Sequence, residues 1–182
     1  YIFDLPPDAI FHNGVPLTAE HVVFSFERAM AEDSVNAQKQ LFAPIASVTA
    51  SAPHEVTIEL QRPTGHFLFN LGWGDMVIGE PSAAETNRNQ PVGTGPFRFV
   101  RWVTGDRVEL ERNADYWGPA PALASATFKF IPDPAAATAA MLAGDVDAFA
   151  TFPAPEALAQ FAADPPFRVV IGTTEGETIL AI

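Results

Sequence analysis

The chain has 182 residues, no cysteine and a formal net charge of −12, from 10 basic against 22 acidic side chains. A field of that sign disfavours nucleic acid and anionic membrane surfaces as partners, and the missing thiols exclude disulfides, cysteine nucleophiles and thiolate metal sites. With 48% apolar residues and a length that buries roughly 70% of the unfolded surface, a globular chain of one domain or two small ones is expected. No apolar run reaches the ~20 residues of a membrane span.

Residues 1–5 read as an edge strand stopped by Pro6-Pro7, and 11–14 as a turn in which Asn13-Gly14 takes positive φ. A helix then opens on Thr18 as N-cap, with Glu20 in its first turn. Ala19, Val22, Val23, Phe26 and Met30 follow helical spacing and face the core. Arg28 and Glu32 form an i,i+4 pair near its end. Strands are expected over 45–51 and Glu55–Leu60, joined by a turn at 52–54. Val56, Ile58 and Leu60 mark the buried face. A short helix follows over Phe67–Leu71. The stretch 73–79 is apolar and glycine-bracketed, 81–86 is a helical turn, and polar 87–91 marks a boundary.

Beyond that boundary the pattern predicts a hairpin, with strands over 97–103 and 108–112 around a turn at 104–106. Extended chain follows at 119–121. The rhythm then alternates: strand 128–131, a helix capped by Asp133 and running from Pro134 to Gly144, strand 146–150, helix 155–163, then strands 168–171 and 178–182. That half reads as an α/β unit. Both chain ends fall within expected strands, so a piece of a longer protein is expected.

Few residues point to reaction chemistry. Val92-Gly93-Thr94-Gly95-Pro96-Phe97 has the glycines of a phosphate loop, but a strand follows it. A phosphate loop needs a helix N-terminus and a lysine there. His12, His21, His54 and His66 have no zinc spacing. Asp145 and Asp147 share one face of a short strand; capping or a solvated face is the simpler role. No Gly-x-Ser-x-Gly elbow occurs, and Ser25 reads as a structural serine. Tyr116 and Trp117 read as a packing anchor for the hairpin. Trp73, among glycines, is equally placed to fill the core or to line a cleft.

Four blocks together resemble one family. They are FHNGVPLTAEHVVFS at 11–25, VGTGPF at 92–97, RVELERNADYWG at 107–118, and IPDP followed by LAGDVD within 130–147. In this order and spacing they are similar to the extracytoplasmic solute-binding proteins of peptide and nickel ABC importers, family 5. The resemblance implies an α/β, periplasmic-binding-protein-like lobe with an inserted α+β subdomain over 1–90. Residues 91–182 would be the core of the first lobe, leading to a hinge, and the second lobe would be missing. It implies a binding protein with no catalytic residues, cofactor or metal. Such a protein captures a small solute and docks on ABC permease subunits, in a periplasmic or extracytoplasmic location, lipid-anchored in the full-length form. Cleft residues implied are Trp73, Asp75, Met76, Val77 and Gln38. Gly93, Thr94, Gly95 and Pro96 become a structural turn beside the cleft, with glycine permitting its backbone angles. Val35, Gln38 and Val77 stand where nickel-type members place basic or aromatic groups, which favours a peptide over a nickel chelate. A hydrolase on a similar lobe, and a ligand-sensing receptor or chaperone, remain as alternatives.

Overall fold

A computed structural model describes residues 1–74 and 76–172. The chain forms two compact units, Tyr1–Phe128 and Lys129–Ile182. The parting by compactness therefore falls at Phe128/Lys129, whereas the change from one sheet to the next within the first unit falls between residues 60 and 97.

The first unit begins with a sheet of order β1-β3-β2, made of β1 (Ile2–Asp4), β2 (Ile45–Ala52) and β3 (Glu55–Leu60). All pairings are antiparallel, with Phe3 opposite Val56 and Val48 opposite Ile58. Period-2 alternation puts Val56 and Ile58 on the inner face, where both are fully buried. Helix α1 (Ala19–Met30) lies against them. Its buried face is Ala19, Val22, Ser25, Phe26 and Ala29, joined by Phe42, Ile45 and Phe67. Burying each of the large side chains contributes about 1.5–3 kcal/mol. Val23 is only half-buried; Ala29 and Ser25 hold the positions next to Phe26 on the inner stripe.

The start of α1 combines two backbone-directed contacts. Thr18 is the N-cap, as its hydroxyl predicts, and its backbone N–H donates to His21 Nδ1 at 3.0 Å. Since Nδ1 accepts there, the Thr18 hydroxyl, 2.8 Å away, donates to it as well. His21 thus takes the place Glu or Gln has in a capping box. At the other end the helix stops at Met30, so Glu32 lies outside it and the expected pair with Arg28 has no helical geometry. Lys39 Nζ closes that end instead, donating to the carbonyl oxygens of Ala31 and Glu32.

Short helix α2 (Phe67–Leu71) and a 3₁₀ turn at Pro81–Ala83 lead to a second sheet of order β4-β5-β6. Its strands are β4 (Phe97–Val103), β5 (Arg107–Arg112) and β6 (Ser125–Lys129). The β4–β5 hairpin turns through Gly105, whose φ of +77° is open to glycine at little cost. It carries a bulge between Phe99 and Arg101. The third strand starts three residues earlier than 128–131 and ends two earlier.

In the second unit, α3 (Pro134–Ala143) and α4 (Leu158–Ala163) are helical. Asp133 caps α3 by accepting from the Ala136 N–H at 2.7 Å, and Gly144 ends it at φ +74°. The expected strands 146–150 and 168–171 are irregular chain instead. Their apolar runs look strand-like, but a strand needs a neighbour to satisfy its backbone groups, and none is offered to them among the described residues. Phe149, Phe152, Phe161 and Phe167 instead form an edge-to-face chain with centroid spacings of 5.2, 5.3 and 5.0 Å. The expected strand 178–182 lies outside the described residues.

Candidate binding groove and the Val92–Phe97 turn

The first unit holds a groove of about 470 Å³ along α1. Phe24, Ser25 and Arg28 form one wall. The loop after the helix adds Asp33 and Val35, and Met76, Val77 and Gly79 close the far side. The far wall is fixed by one buried hydroxyl. Ser25 Oγ donates to the His21 carbonyl at 2.7 Å and accepts the Gly79 N–H at 2.9 Å. The hydroxyl both donates and accepts, and the segment after Trp73 is thereby tied to α1. Met76 packs partly into the main core, while Val77 remains 70% exposed. Exposed Val77 and Val35 supply apolar surface; Arg28 and Asp33 supply one charge of each sign.

The expected cleft residues divide. Met76 and Val77 meet in this groove. Trp73 does not line it: it is 46% exposed and packs edge-on against Phe69, at 6.4 Å. Gln38 caps the 3₁₀ turn Lys39–Phe42, with its backbone N–H donating to Asn36 Oδ1. Asp75 lies outside the described residues. Sequence reasoning missed Arg28 and Asp33, because polar residues at the end of a helix carry no local sign of facing a groove.

Behind the groove wall sits Glu80, 5% exposed. Its carboxylate accepts from the Ser82 hydroxyl, from the backbone N–H of Ser82 at 3.0 Å and of Ala83 at 3.1 Å, and from Asn13 Nδ2 at 3.0 Å. These donors, the Ser82 hydroxyl first, hold its pKa below the ordinary carboxylate value.

Asn13 leads to the turn at Val92–Phe97. Next to it, His12 meets the turn with both ring nitrogens. The Gly93 N–H donates to Nδ1 at 3.2 Å, and Nε2 lies 3.1 Å from the Gly95 carbonyl oxygen. The backbone N–H of His12 adds a bond to the Gly93 carbonyl oxygen at 2.8 Å. From the other side, Asn113 Nδ2 donates to the Gly95 carbonyl at 3.2 Å and Trp117 Nε1 to the Thr94 carbonyl at 3.1 Å. The Asn113 backbone N–H donates to the Pro96 carbonyl at 2.8 Å. Gly93 and Gly95 both keep negative φ, so the left-handed freedom expected of them is not used. A Cβ on Gly93 would sit in ordinary contact, 3.7 Å from His12 Cε1. What sets the turn is side-chain bonding to its carbonyls and amide. Tyr116 packs on Trp117 at 5.3 Å. A Cβ at Gly118 would lie 2.7 Å from the Tyr116 ring, so glycine is needed there for close approach.

Asp145 and Asp147 do not form a built site. The Asp145 backbone closes the end of α3 through the Ala140 carbonyl, and its own carbonyl accepts from Lys129 Nζ. Among the described residues no group of three or more His, Asp or Glu is placed to hold a metal, and no helix is long and apolar enough to cross a membrane.

The profile of bacterial extracellular solute-binding proteins, family 5, middle region, matches residues 1–182. The chain belongs to this family. Family 5 relatives include the oligopeptide-binding protein AppA of Bacillus subtilis, 34% identical over 149 residues, covering 76% of this chain and 27% of AppA. The solved structure of AppA with a nonapeptide superposes with a TM-score of 0.72 at 30% identity, covering 81% of this chain and 31% of that one. The periplasmic binding protein DppA of Helicobacter pylori, in complex with the peptide STSA, gives a TM-score of 0.80 at 28% identity, covering 91% of this chain and 37% of DppA. NikZ of Campylobacter jejuni, in complex with Ni(L-His), gives 0.73 at 30% identity, covering 81% and 31%. The fold is thus the mixed α/β fold of family-5 binding proteins. The chain spans about a quarter to a third of the length of the relatives it matches.

Proposed function

We propose that the protein containing this chain is the substrate-binding component of an ABC importer. It takes a peptide or similar small polar solute between two lobes and delivers it to a membrane permease, from a periplasmic or extracytoplasmic position. In this reading residues 1–90 are the inserted subdomain of the first lobe and 91–182 part of its core. The observation that carries it is the groove wall at Met76–Gly79, fixed to α1 by Ser25 in a chain whose whole length matches the family.

The groove chemistry favours a peptide over a nickel chelate. Val35 and Val77 offer apolar contact to side chains, and Arg28 and Asp33 offer opposite charges to a zwitterion. No imidazole or second carboxylate lines the groove among the described residues, whereas nickel is commonly held by nitrogen and oxygen donors. Trp73 and Gln38 stand outside this groove and are proposed to meet the ligand only when the second lobe closes over it. The permease would then recognise the closed form, and ATP chemistry would belong to another subunit.

The test is calorimetric titration of the full-length protein with a defined set of short peptides, repeated with Val77→Asp and Arg28→Ala. Saturable binding that weakens about tenfold or more in either variant supports the assignment. Unchanged affinity in both would place the ligand elsewhere.

A further inference from the structure

His12 joins two parts of the chain about eighty residues apart, and it does so in one protonation state. Its Nδ1 receives the Gly93 N–H, so Nδ1 carries a lone pair there. Its Nε2 faces the Gly95 carbonyl oxygen, which only accepts, so Nε2 carries the hydrogen. The ring is therefore neutral, in the Nε2–H form. A second proton would go to Nδ1 and set N–H against N–H at Gly93.

We propose that His12 is a proton-operated latch on the turn at Gly93–Gly95. In the neutral form it closes the turn onto the loop at Phe11–Gly14; in the imidazolium form it releases the Gly93 amide. The two ends of the latch are unequal. The Gly95 carbonyl also accepts from Asn113 Nδ2, so it keeps a partner when the ring turns away. The Gly93 amide has the His12 ring as its acceptor, and so reports the opening.

The charged groups sharing the groove around His12 are Arg98 and Arg101 of β4 and Glu111 of β5. Arg98 is paired with Glu111 and Arg101 with Glu109. On its own loop the neighbouring Asn13 binds Glu80. Opening therefore loosens the loop next to the Asn13–Glu80 contact. Histidine is the side chain whose charge ordinarily changes at near-neutral pH, which sets the range the experiment covers. The latch does not depend on the identity of the solute.

The experiment is hydrogen–deuterium exchange resolved to the Gly93 amide in the full-length protein, from about pH 8 to about pH 5, across the histidine range. Rates are corrected for intrinsic exchange. The amides of Leu17 and Ile58, bonded to the Ala9 and Tyr1 carbonyls, are the controls. Protection of Gly93 is expected to fall about tenfold relative to the controls as pH drops through that range. In His12→Phe, Gly93 should be poorly protected throughout, with no such pH dependence. Gly93 protection that tracks the controls across the range in the wild-type protein overturns the proposal, as does the same pH dependence in His12→Phe. The wild-type series decides alone if the variant does not fold.

Discussion

The indole nitrogen of Trp117 donates to the carbonyl oxygen of Thr94 at 3.1 Å, joining the end of one sequence block to the middle of another. Trp117→Phe keeps an aromatic ring against Tyr116 but removes the donor together with part of the ring. It should destabilise the fold by about 1 kcal/mol, the usual net worth of such a bond. A urea midpoint measured beside the wild-type value checks this; no change would mean that water replaces the indole at no cost.

Ser25→Ala leaves the part-buried Gly79 N–H without its partner at the groove wall. The expected loss is about 1 kcal/mol, the usual net worth of such a bond. Thermal unfolding gives the stability change. If the wall holds the ligand, affinity should fall in the same variant, whereas full affinity would separate Ser25 from the cleft.

Helix α3 depends on its two ends. Asp133→Ala removes the cap on the Ala136 N–H and should cost about 1 kcal/mol. Gly144→Ala forces a side chain into the left-handed region at φ +74° and should cost about 1–2 kcal/mol. The two should be nearly additive, since they act at opposite ends of the helix. Helicity by circular dichroism and the unfolding midpoint of each variant and of the double variant test the pair.

Acid should loosen the first unit through two carboxylates whose folded pKa values lie below the ordinary value. Glu109 accepts from Arg101 and Arg107, which hold it down to about 2. Glu80 is lowered by Ser82, Asn13 and Ala83. A depressed carboxylate stabilises the fold fully above its unfolded value of 4.5. It loses that contribution as pH falls towards the folded value. The stability advantage of wild type over Glu109→Gln should therefore shrink between pH 4.5 and about 2. An advantage that stays constant through that window would contradict the assignment.

Much of the fold is legible in the residues. Thr18 and the spacing of Ala19, Val22 and Phe26 locate α1, alternating Val56 and Ile58 locate β3, and Asp133 with Gly144 brackets α3. These signals are local: each lies within one or two turns or one strand. What failed was non-local. Residues 146–150 and 168–171 have strand-like composition, but a strand is decided by its neighbour, which a local pattern does not contain. The site was legible only in part. Of the implied cleft residues, Met76 and Val77 line a groove along α1, while Trp73 and Gln38 do not. Arg28 and Asp33 did not stand out, since their role comes from how the chain folds back onto the end of α1. The clamp on the turn by His12, Asn113 and Trp117 was equally hidden: three side chains meet backbone atoms 18 to 83 residues away. The family blocks marked these residues without revealing what they bond.

Under the proposed function, the full-length protein binds peptide and releases it unchanged. Native mass spectrometry of that protein, incubated with a defined peptide mixture, tests it most directly. The prediction is saturable one-to-one complexes from which denaturation recovers each peptide intact. Cleaved peptides, or complexes with a nickel–histidine chelate and with no peptide, would contradict it.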